Sequence, residues 1–304
     1  MDELKVYIGC CKTDFYLLKS CVASIRYWNK TVRVSLLKDF SQGDFDTAEL
    51  ERLFNVTVVE TRYKKLGGYM KLQPYIEPTA ERIFLQDADM VWLGDITTMI
   101  KDCDKDIAVH AYNPPMLDEE LNKWYFNKSN LHLYYPDYKY PGFVFNCGSI
   151  FLNKRIFSPD DFTEIIAWRE GARPIHAGIF LCEDQGIINY IVAKKYLARE
   201  ITIAEVPFQI DAADVAAANY DLNKIKRKEE QKVIVHWLGK KIGLNSFYSA
   251  RHILRFYERN YYSYLKNGNQ RMICDRLKRT LKYFDRFAYE LSKKILYTFI
   301  PRKK

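Results

Sequence analysis

No uninterrupted apolar run in this sequence reaches 18 residues, which excludes a helix able to span a bilayer. The seven cysteines (10, 11, 21, 103, 147, 182 and 274) include no C-x-x-C pair. A zinc site is therefore not expected, and an odd number of thiols reads as free cysteines in a reducing compartment. Internal repeats and low-complexity tracts are also missing, so a solenoid is not expected. The opening stretch "MDELKVYIGC" places acids where a secretory leader carries cations, and its apolar part is short. The expectation is a cytoplasmic protein without a leader.

What is present is globular: 304 residues, 48% hydrophobic and 28% charged, enough for one large or two ordinary α/β domains. Aromatics reach 15%, with 23 Tyr, a surplus common where rings are bound or surfaces meet. The net charge of +9 is unevenly placed: residues 271–304 hold 11 Lys and Arg against 3 Asp and Glu, leaving about +1 on the rest. The basicity belongs to the tail.

The apolar spacing predicts strands at 4–10, 31–38 and 55–61, with helices at 15–28 and 46–54 between them. That alternation implies a parallel sheet with crossover helices. A short helix broken by Pro74 is expected in "MKLQPYIEPT", then a fully buried strand at 81–86. Residues 111–142, rich in Tyr, Asn and Pro, read as a long insertion over a site. "FVFNCGSIFLN" (143–153) gives strand signals on both sides of its Asn-Cys-Gly step. A helix-cap pattern opens 159–171, 183–196 reads as a helix with acids in its first turn, 232–239 as a strand ending at His236, and the chain is helical from about 247.

The strand at 81–86 runs into Asp87 and Asp89. Two carboxylates at spacing i, i+2 point to the same side and repel unless a cation lies between or beside them. Ligands of open α/β sheets bind at such C-terminal strand ends. Three readings are open at this point: incidental acids in a solvated loop, a divalent-metal site holding a diphosphate, and a haloacid-dehalogenase-like phosphatase with Asp87 as nucleophile, since Asp87-Ala88-Asp89-Met90-Val91 fits D-x-D-x-V. The phosphatase reading wants its motif on the first strand and a later G-D-x-x-x-D pair, and neither is found. The metal reading wants a further ligand, which His236 offers, and cations for phosphate, which Lys71, Lys240 and Lys241 offer.

Four blocks together resemble the family 8 retaining glycosyltransferases, the glycogenin-like and bacterial lipopolysaccharide galactosyltransferase-like enzymes. They are Lys71 in "YMKLQPY", "FLQDADMVWLGDI", "FNCGSIFLN" followed by "EDQGIINYI", and "VIVHWLG", in the family's order over roughly residues 4–245. The resemblance implies a GT-A fold: a Rossmann-like, mostly parallel central sheet flanked by helices, here with a helical C-terminal extension. It implies a UDP-sugar donor, Mn²⁺ (or Mg²⁺ in its place), a hexose transferred with retention, and a saccharide or glycolipid acceptor.

By the same resemblance Asp87, Asp89 and His236 are the metal ligands, and carboxylates plus imidazole suit Mn²⁺. Lys71, Ala88, Asn146, Gly148 and Gly239 fall at donor-contacting positions. Asp184 and Gln185 form the acid–amide pair at the reacting face of the donor sugar. Ile8, Gly9, Cys10 and Cys11, with Phe15 or Tyr16, fall where the family holds uracil. Gly9, Cys10 and Cys11 replace the polar residues usual there, leaving the base contacts open. Lys240 and Lys241 stand in for the Lys-Pro-Trp that follows H-x-x-G in the family. Retention calls either for a carboxylate attack, with Asp184 as candidate, or for acceptor entry on the face the diphosphate leaves.

The expected division is a catalytic domain over 1–245, its nucleotide-sugar half about 1–100 and its acceptor half about 101–245, followed by a basic helical extension over 246–304. His110, His132, His176 and His252 read as structural or surface residues, Cys147 and Cys182 as packing, and the Tyr-rich segment 124–141 as acceptor contacts. In the tail, apolar residues at 273, 277, 281, 284, 288, 291, 295 and 299 keep helical spacing among cations. This is either a helix packed on the domain or a peripheral helix on an anionic membrane. No nucleic-acid motif accompanies the charge. A non-catalytic basic membrane-binding protein is the remaining alternative to an enzyme.

Overall fold

The computed structural model describes residues 4–59, 66–76, 82–111, 116–168, 172–229, 231, 233–238 and 250–299. The first half alternates as expected. Strand β1 (Lys5–Cys11) leads through helix α1 (Phe15–Trp28) to β2 (Arg33–Asp39), and helix α2 (Ala48–Phe54) leads to β3 (Val56–Val59). Each turn has a local cause. Past α1, Asn29 Oδ1 accepts the amides of Thr31 and Val32 at 3.0 and 2.8 Å, an Asx turn that sends the chain into β2. Helix α2 ends at Asn55, held at φ 47°, a left-handed cap that Asn tolerates well. The buried Arg26 guanidinium donates to the carbonyls of Phe54, Val32 and Asn55 at 2.6–2.9 Å. Three chain ends that would otherwise lose water unpaired are thus satisfied by one side chain.

A 3₁₀ segment, Gly67–Leu72, runs into the one-turn helix α3 (Gln73–Ile76). Pro74 does not break this helix. It lies in the first turn, where its missing N–H costs nothing. Strand β4 (Ile83–Asp87) follows, then β5 (Met90–Trp92), β6 (Ile107–Ala111), helices α4 (Asp118–Trp124) and α5 (Lys128–Tyr134), and β7 (Phe145–Leu152). The strand signals on both sides of Asn-Cys-Gly belong to one buried strand, β7, which runs through it. Helix α6 (Asp160–Thr163) covers only four residues of the helix anticipated at 159–171, because the chain turns into the hairpin β8 (Ile166–Trp168) and β9 (Ala172–Pro174). Helix α7 (Asp184–Leu197) precedes β10 (Ile203–Glu205), β11 (Gln209–Asp211), the short helices α8 (Val215–Ala218) and α9 (Leu222–Lys226), and β12 (Ile234–His236).

The central sheet has seven strands in the order β10-β6-β7-β4-β1-β2-β3. It is parallel except for β7, which runs antiparallel to both β4 and β6. A second sheet, β11-β12-β5, sits beside it, with β12 antiparallel to β5. Two large clusters of buried side chains surround the sheet, one containing Leu85, Phe145 and Ile187, the other Ile8, Leu36 and Phe84. The β1 pattern shows why: five successive buried residues fit a central strand covered on both sides.

Helices α10 (Arg251–Ser263) and α11 (Gly268–Phe299) close the chain. Tyr257 of α10 donates its hydroxyl to Trp92 O at 2.7 Å and accepts from Trp28 Nε1 at 2.8 Å. The first turns of α11 are docked by charge: Arg271 on Glu49 at 2.7 Å, Asp275 on Lys19 at 3.1 Å, Arg276 and Arg279 on Glu258 at 2.5 Å each. Its apolar stripe faces away from the body, with Ile273, Leu277, Leu281 and Phe284 between 54% and 64% exposed. Of the two sequence alternatives for the tail, a helix packed on the domain holds for the first turns, through these ion pairs and buried Met272, but not through these four apolar residues; the side chains of Leu291, Ile295 and Phe299 lie outside the described residues. Among the described residues no helix is long and apolar enough to cross a membrane.

A candidate metal and donor site at the sheet's C-terminal edge

Three chain segments that meet at one sheet edge build the site. In β4, Asp87 pairs in register with Gly9 of β1. Two residues on, Asp89 ends the turn into β5, and β12 lies antiparallel to β5 with His236 opposite Met90. The ladder continues with Trp237 N–H donating to Asp89 O at 3.0 Å. The register delivers the imidazole to the carboxylates: His236 Nε2 is 3.3 Å from Asp89 Oδ1 and 3.9 Å from Asp87 Oδ2. One ligand atom from each of the three lies within 4.8 Å of the others. Ligands about 2.1 Å from an octahedral ion stand roughly 3–4 Å apart, so Asp87, Asp89 and His236 can hold one divalent cation. Two anionic oxygens and an imidazole are a donor set for a borderline-hard ion.

Beside this trio lies a buried ion-pair network. Lys71, on the Gly67–Leu72 segment, sits 2.9 Å from Asp87 Oδ1 and 2.9 Å from Asp184 Oδ2, and donates to Cys147 O at 3.3 Å. Gly9 makes room for it: a Cβ there would come 2.8 Å from Lys71 Cγ. Burial works against the Lys71 ammonium, but Asp184 and Asp87 outweigh it and hold its pKa well above the ordinary lysine value. Burial pushes the Asp184 carboxyl up to about 7, with Lys71 pulling it down and Asp87 pushing it further up. A buried acid at a helix start, raised toward neutrality by burial beside a lysine, is a pattern found at functional sites.

The amides complete the floor. Asn146 Oδ1 accepts Gly148 N–H at 2.7 Å, and Gln185 Oε1 takes Asn146 Nδ2 and Cys147 N–H, each at 3.4 Å. Gln185 Nε2 donates to Trp124 O at 3.1 Å, which ties the 116–142 segment to the site. Gly148 is held between site groups: a Cβ would meet Asn146 Oδ1 at 2.5 Å and His236 Cε1 at 2.6 Å. Asn189 clips α7 to β7, accepting Phe145 N–H and donating to Phe145 O, both at 2.9 Å. The glycine of Asp-Gln-Gly is a packing requirement, since Gly186 lies against the Tyr125 carbonyl.

Lys71, Asp87, Asp89, Asn146, Gly148, Asp184, Gln185 and His236 are thus brought together. Ala88 is buried in the turn, its N–H on Gly9 O at 3.1 Å. Ile8 and Cys10 point into the core shared with α1, and the Cys10 thiol, raised in pKa chiefly by burial, donates to Leu37 O at 3.4 Å. Cys11 is half-buried beside Thr13 at 3.0 Å. Tyr16 lies under Arg279 of α11, 4.7 Å from ring centre to guanidinium. Gly239, Lys240 and Lys241 lie outside the described residues. Cys147 is buried with a raised thiol pKa, whereas Cys182 is exposed rather than packed. In the 124–141 segment Tyr125 and Tyr138 belong to the core, while Trp124 and Tyr134 are 45% and 48% exposed.

Reading the sequence missed Glu183 and Gly68, whose amide donates to the Glu183 carboxylate. The signal was there in the adjacent Gly67-Gly68 before Lys71 and in the acid preceding Asp184.

No family model and no curated protein matches the chain by sequence. Solved structures do match by fold. The bifunctional glycosyltransferase WbbM superposes with a TM-score of 0.54 at 14% identity, over 91% of this chain and 52% of that one. The glycosyltransferase GlyE of Streptococcus pneumoniae TIGR4 gives 0.51 at 14%, over 85% and 60%. An active-site mutant of LgtC gives 0.51 at 10%, over 83% and 94%. The chain spans about half the WbbM chain and three fifths of the GlyE chain. The mixed seven-stranded sheet, flanked by helices and carrying its D-x-D at the C-terminal strand edge, is the GT-A glycosyltransferase fold.

Proposed function

We propose that this protein is a metal-dependent retaining glycosyltransferase of the family 8 type, moving a hexose from a UDP-sugar to a saccharide or glycolipid acceptor. The observation that carries the reading is the convergence of Asp87, Asp89 and His236 within 4.8 Å beside the Lys71–Asp184 pair. Mn²⁺, or Mg²⁺ in its place, would be held by those three residues and would offset charge on the departing nucleoside diphosphate. Lys71 brings a permanently charged ammonium to the same edge and keeps Asp184 in place. Asp184 stands either as the carboxylate that attacks the anomeric carbon or as the group that fixes the sugar while the acceptor enters. The Asn146 and Gln185 amides supply neutral donors and acceptors suited to sugar hydroxyls.

A phosphatase using Asp87 is disfavoured. The D-x-D strand is the fourth in the chain, its neighbour β7 is antiparallel, and Asp87 Oδ1 is engaged by Lys71. The deciding experiment is a panel of nucleotide sugars assayed for hydrolysis with Mn²⁺ or with EDTA. Donor turnover that EDTA abolishes is the expected result. Metal-independent release of phosphate from simple esters, without donor turnover, would overturn the reading.

The outward stripe of α11 favours one further element of the proposal, a peripheral contact with an anionic membrane. Ile273, Leu277, Leu281 and Phe284 would enter the interface while Lys278 and Lys282 face phospholipid, each cation contributing about 1 kcal/mol there.

A further inference from the structure

We infer that Glu183 is a positioning residue: its carboxylate clamps the Gly67–Leu72 segment to the start of α7 and so holds Lys71 and Asp184 in register. The inference rests on the reading of the site given above. Two tethers link the same two segments. Gly68 N–H donates to Glu183 Oε2, and three residues on, Lys71 Nζ pairs with Asp184 Oδ2 at 2.9 Å, one residue past Glu183. A third fixes the segment from behind, Gly67 N–H donating to Asp39 Oδ1 at 3.0 Å.

The clamp is built at a conformational cost. Cys182 and Glu183 both adopt positive φ, 52° and 53°, a region L-residues other than Asn and Asp rarely take and that persists where the surroundings over-determine it. The partner side is equally specific. A side chain at Gly68 would collide with the Glu183 carboxylate and stand 3.2 Å from Asp184 Oδ1, and one at Gly67 would meet Glu183 Oε1 at 2.8 Å. The paired glycines leave space that Glu183 fills. The 3₁₀ segment is short and its own hydrogen bonds are weak, so the Glu183 contact holds its start while the ion pairs of Lys71 hold its end.

The test compares Glu183→Gln and Glu183→Gly in the full chain. Glutamine keeps an acceptor for the Gly68 amide, whereas glycine removes it and relieves the positive φ. E183Q is expected to keep kcat for metal-dependent donor hydrolysis within threefold. E183G is expected to lose at least tenfold in kcat, with donor KM within threefold and Tm unchanged or higher. Amide exchange over residues 66–72 is expected to quicken at least tenfold in E183G only. A merely structural role would lower Tm together with activity, and a catalytic charge would make E183Q as slow as E183G. Either outcome, or E183G with parent-like kcat and exchange, overturns the inference. If the parent turns over no nucleotide sugar, the proposed function fails, while the exchange comparison still decides whether Glu183 holds the segment.

Discussion

Lys71 and Asp184 meet at 2.9 Å across more than a hundred residues of chain, and both are buried. The same ammonium reaches Asp87, so one cation holds a metal-ligand candidate and the acid of Asp-Gln-Gly together. Asp184 is buried, and the ammonium offsets the water its carboxyl gives up there.

Replacing Lys71 by Met is therefore expected to do more than remove a charge. It leaves two carboxylates close together with no counter-ion. Breaking a buried pair from one side costs on the order of 3 kcal/mol, which urea unfolding at pH 8 would register. Donor turnover is expected to fall at least a hundredfold. A K71M protein of parental stability would show that the pair is held open to solvent.

Metal binding gives a second expectation, independent of turnover. Mn²⁺ at about a hundred times its Kd should raise the unfolding free energy by roughly 2.7 kcal/mol. His236→Ala and Asp89→Asn should remove that stabilisation. Gly148→Ala should weaken it without replacing a ligand, because its Cβ would stand 2.6 Å from His236 Cε1 and displace the ring. Thermal unfolding with and without Mn²⁺ measures all three, and an undiminished metal response in H236A would eliminate the site.

The raised Asp184 pKa sets a pH dependence whose sign can be worked out. Unfolded, the carboxyl ionises near 3.8, and folded near 7. Between those values the folded chain binds the extra proton, so this group's contribution to stability is lost as pH rises from about 4 to about 7, then levels off. The slope is at most about 1.4 kcal/mol per pH unit. Asp184→Asn mimics the protonated acid and lacks the slope, so its stability should gain on the parent's through that window. A pH-invariant difference between the two urea midpoints would contradict the raised value.

The α11 stripe predicts a separable surface effect. Leu277, Leu281 and Phe284 changed together to Glu should leave Tm within a degree or two, since all three are exposed, and should abolish co-sedimentation with phosphatidylglycerol vesicles. Truncation before residue 280 is a poorer test, because Arg271, Asp275, Arg276 and Arg279 dock the helix on the body. Unchanged vesicle binding by the triple variant would remove the membrane from the proposal.

Much of this was legible from sequence, for a local reason. Side-chain periodicity and turn chemistry operate over a few residues, so β1 to β4, α1, α2 and α7 lie close to where apolar spacing puts them. The paired aspartates are equally local: two acids closing a buried apolar run mark the point where that run gives way to water. Gly186 and Asn189 lie in the quoted block "EDQGIINYI", but their packing against Tyr125 and Phe145 shows only in the fold.

Tertiary structure decided the rest, because register and packing between distant segments leave no trace in local spacing. That β7 passes unbroken through Asn-Cys-Gly follows from its burial between β4 and β6. That His236 faces the aspartates follows from the antiparallel register of β12 on β5. That the apolar side of α11 looks outward follows from ion pairs to Glu49, Lys19 and Glu258, which turn its charged side inward. The sequence determined which chemistries were at hand, and long-range pairing determined which of them meet.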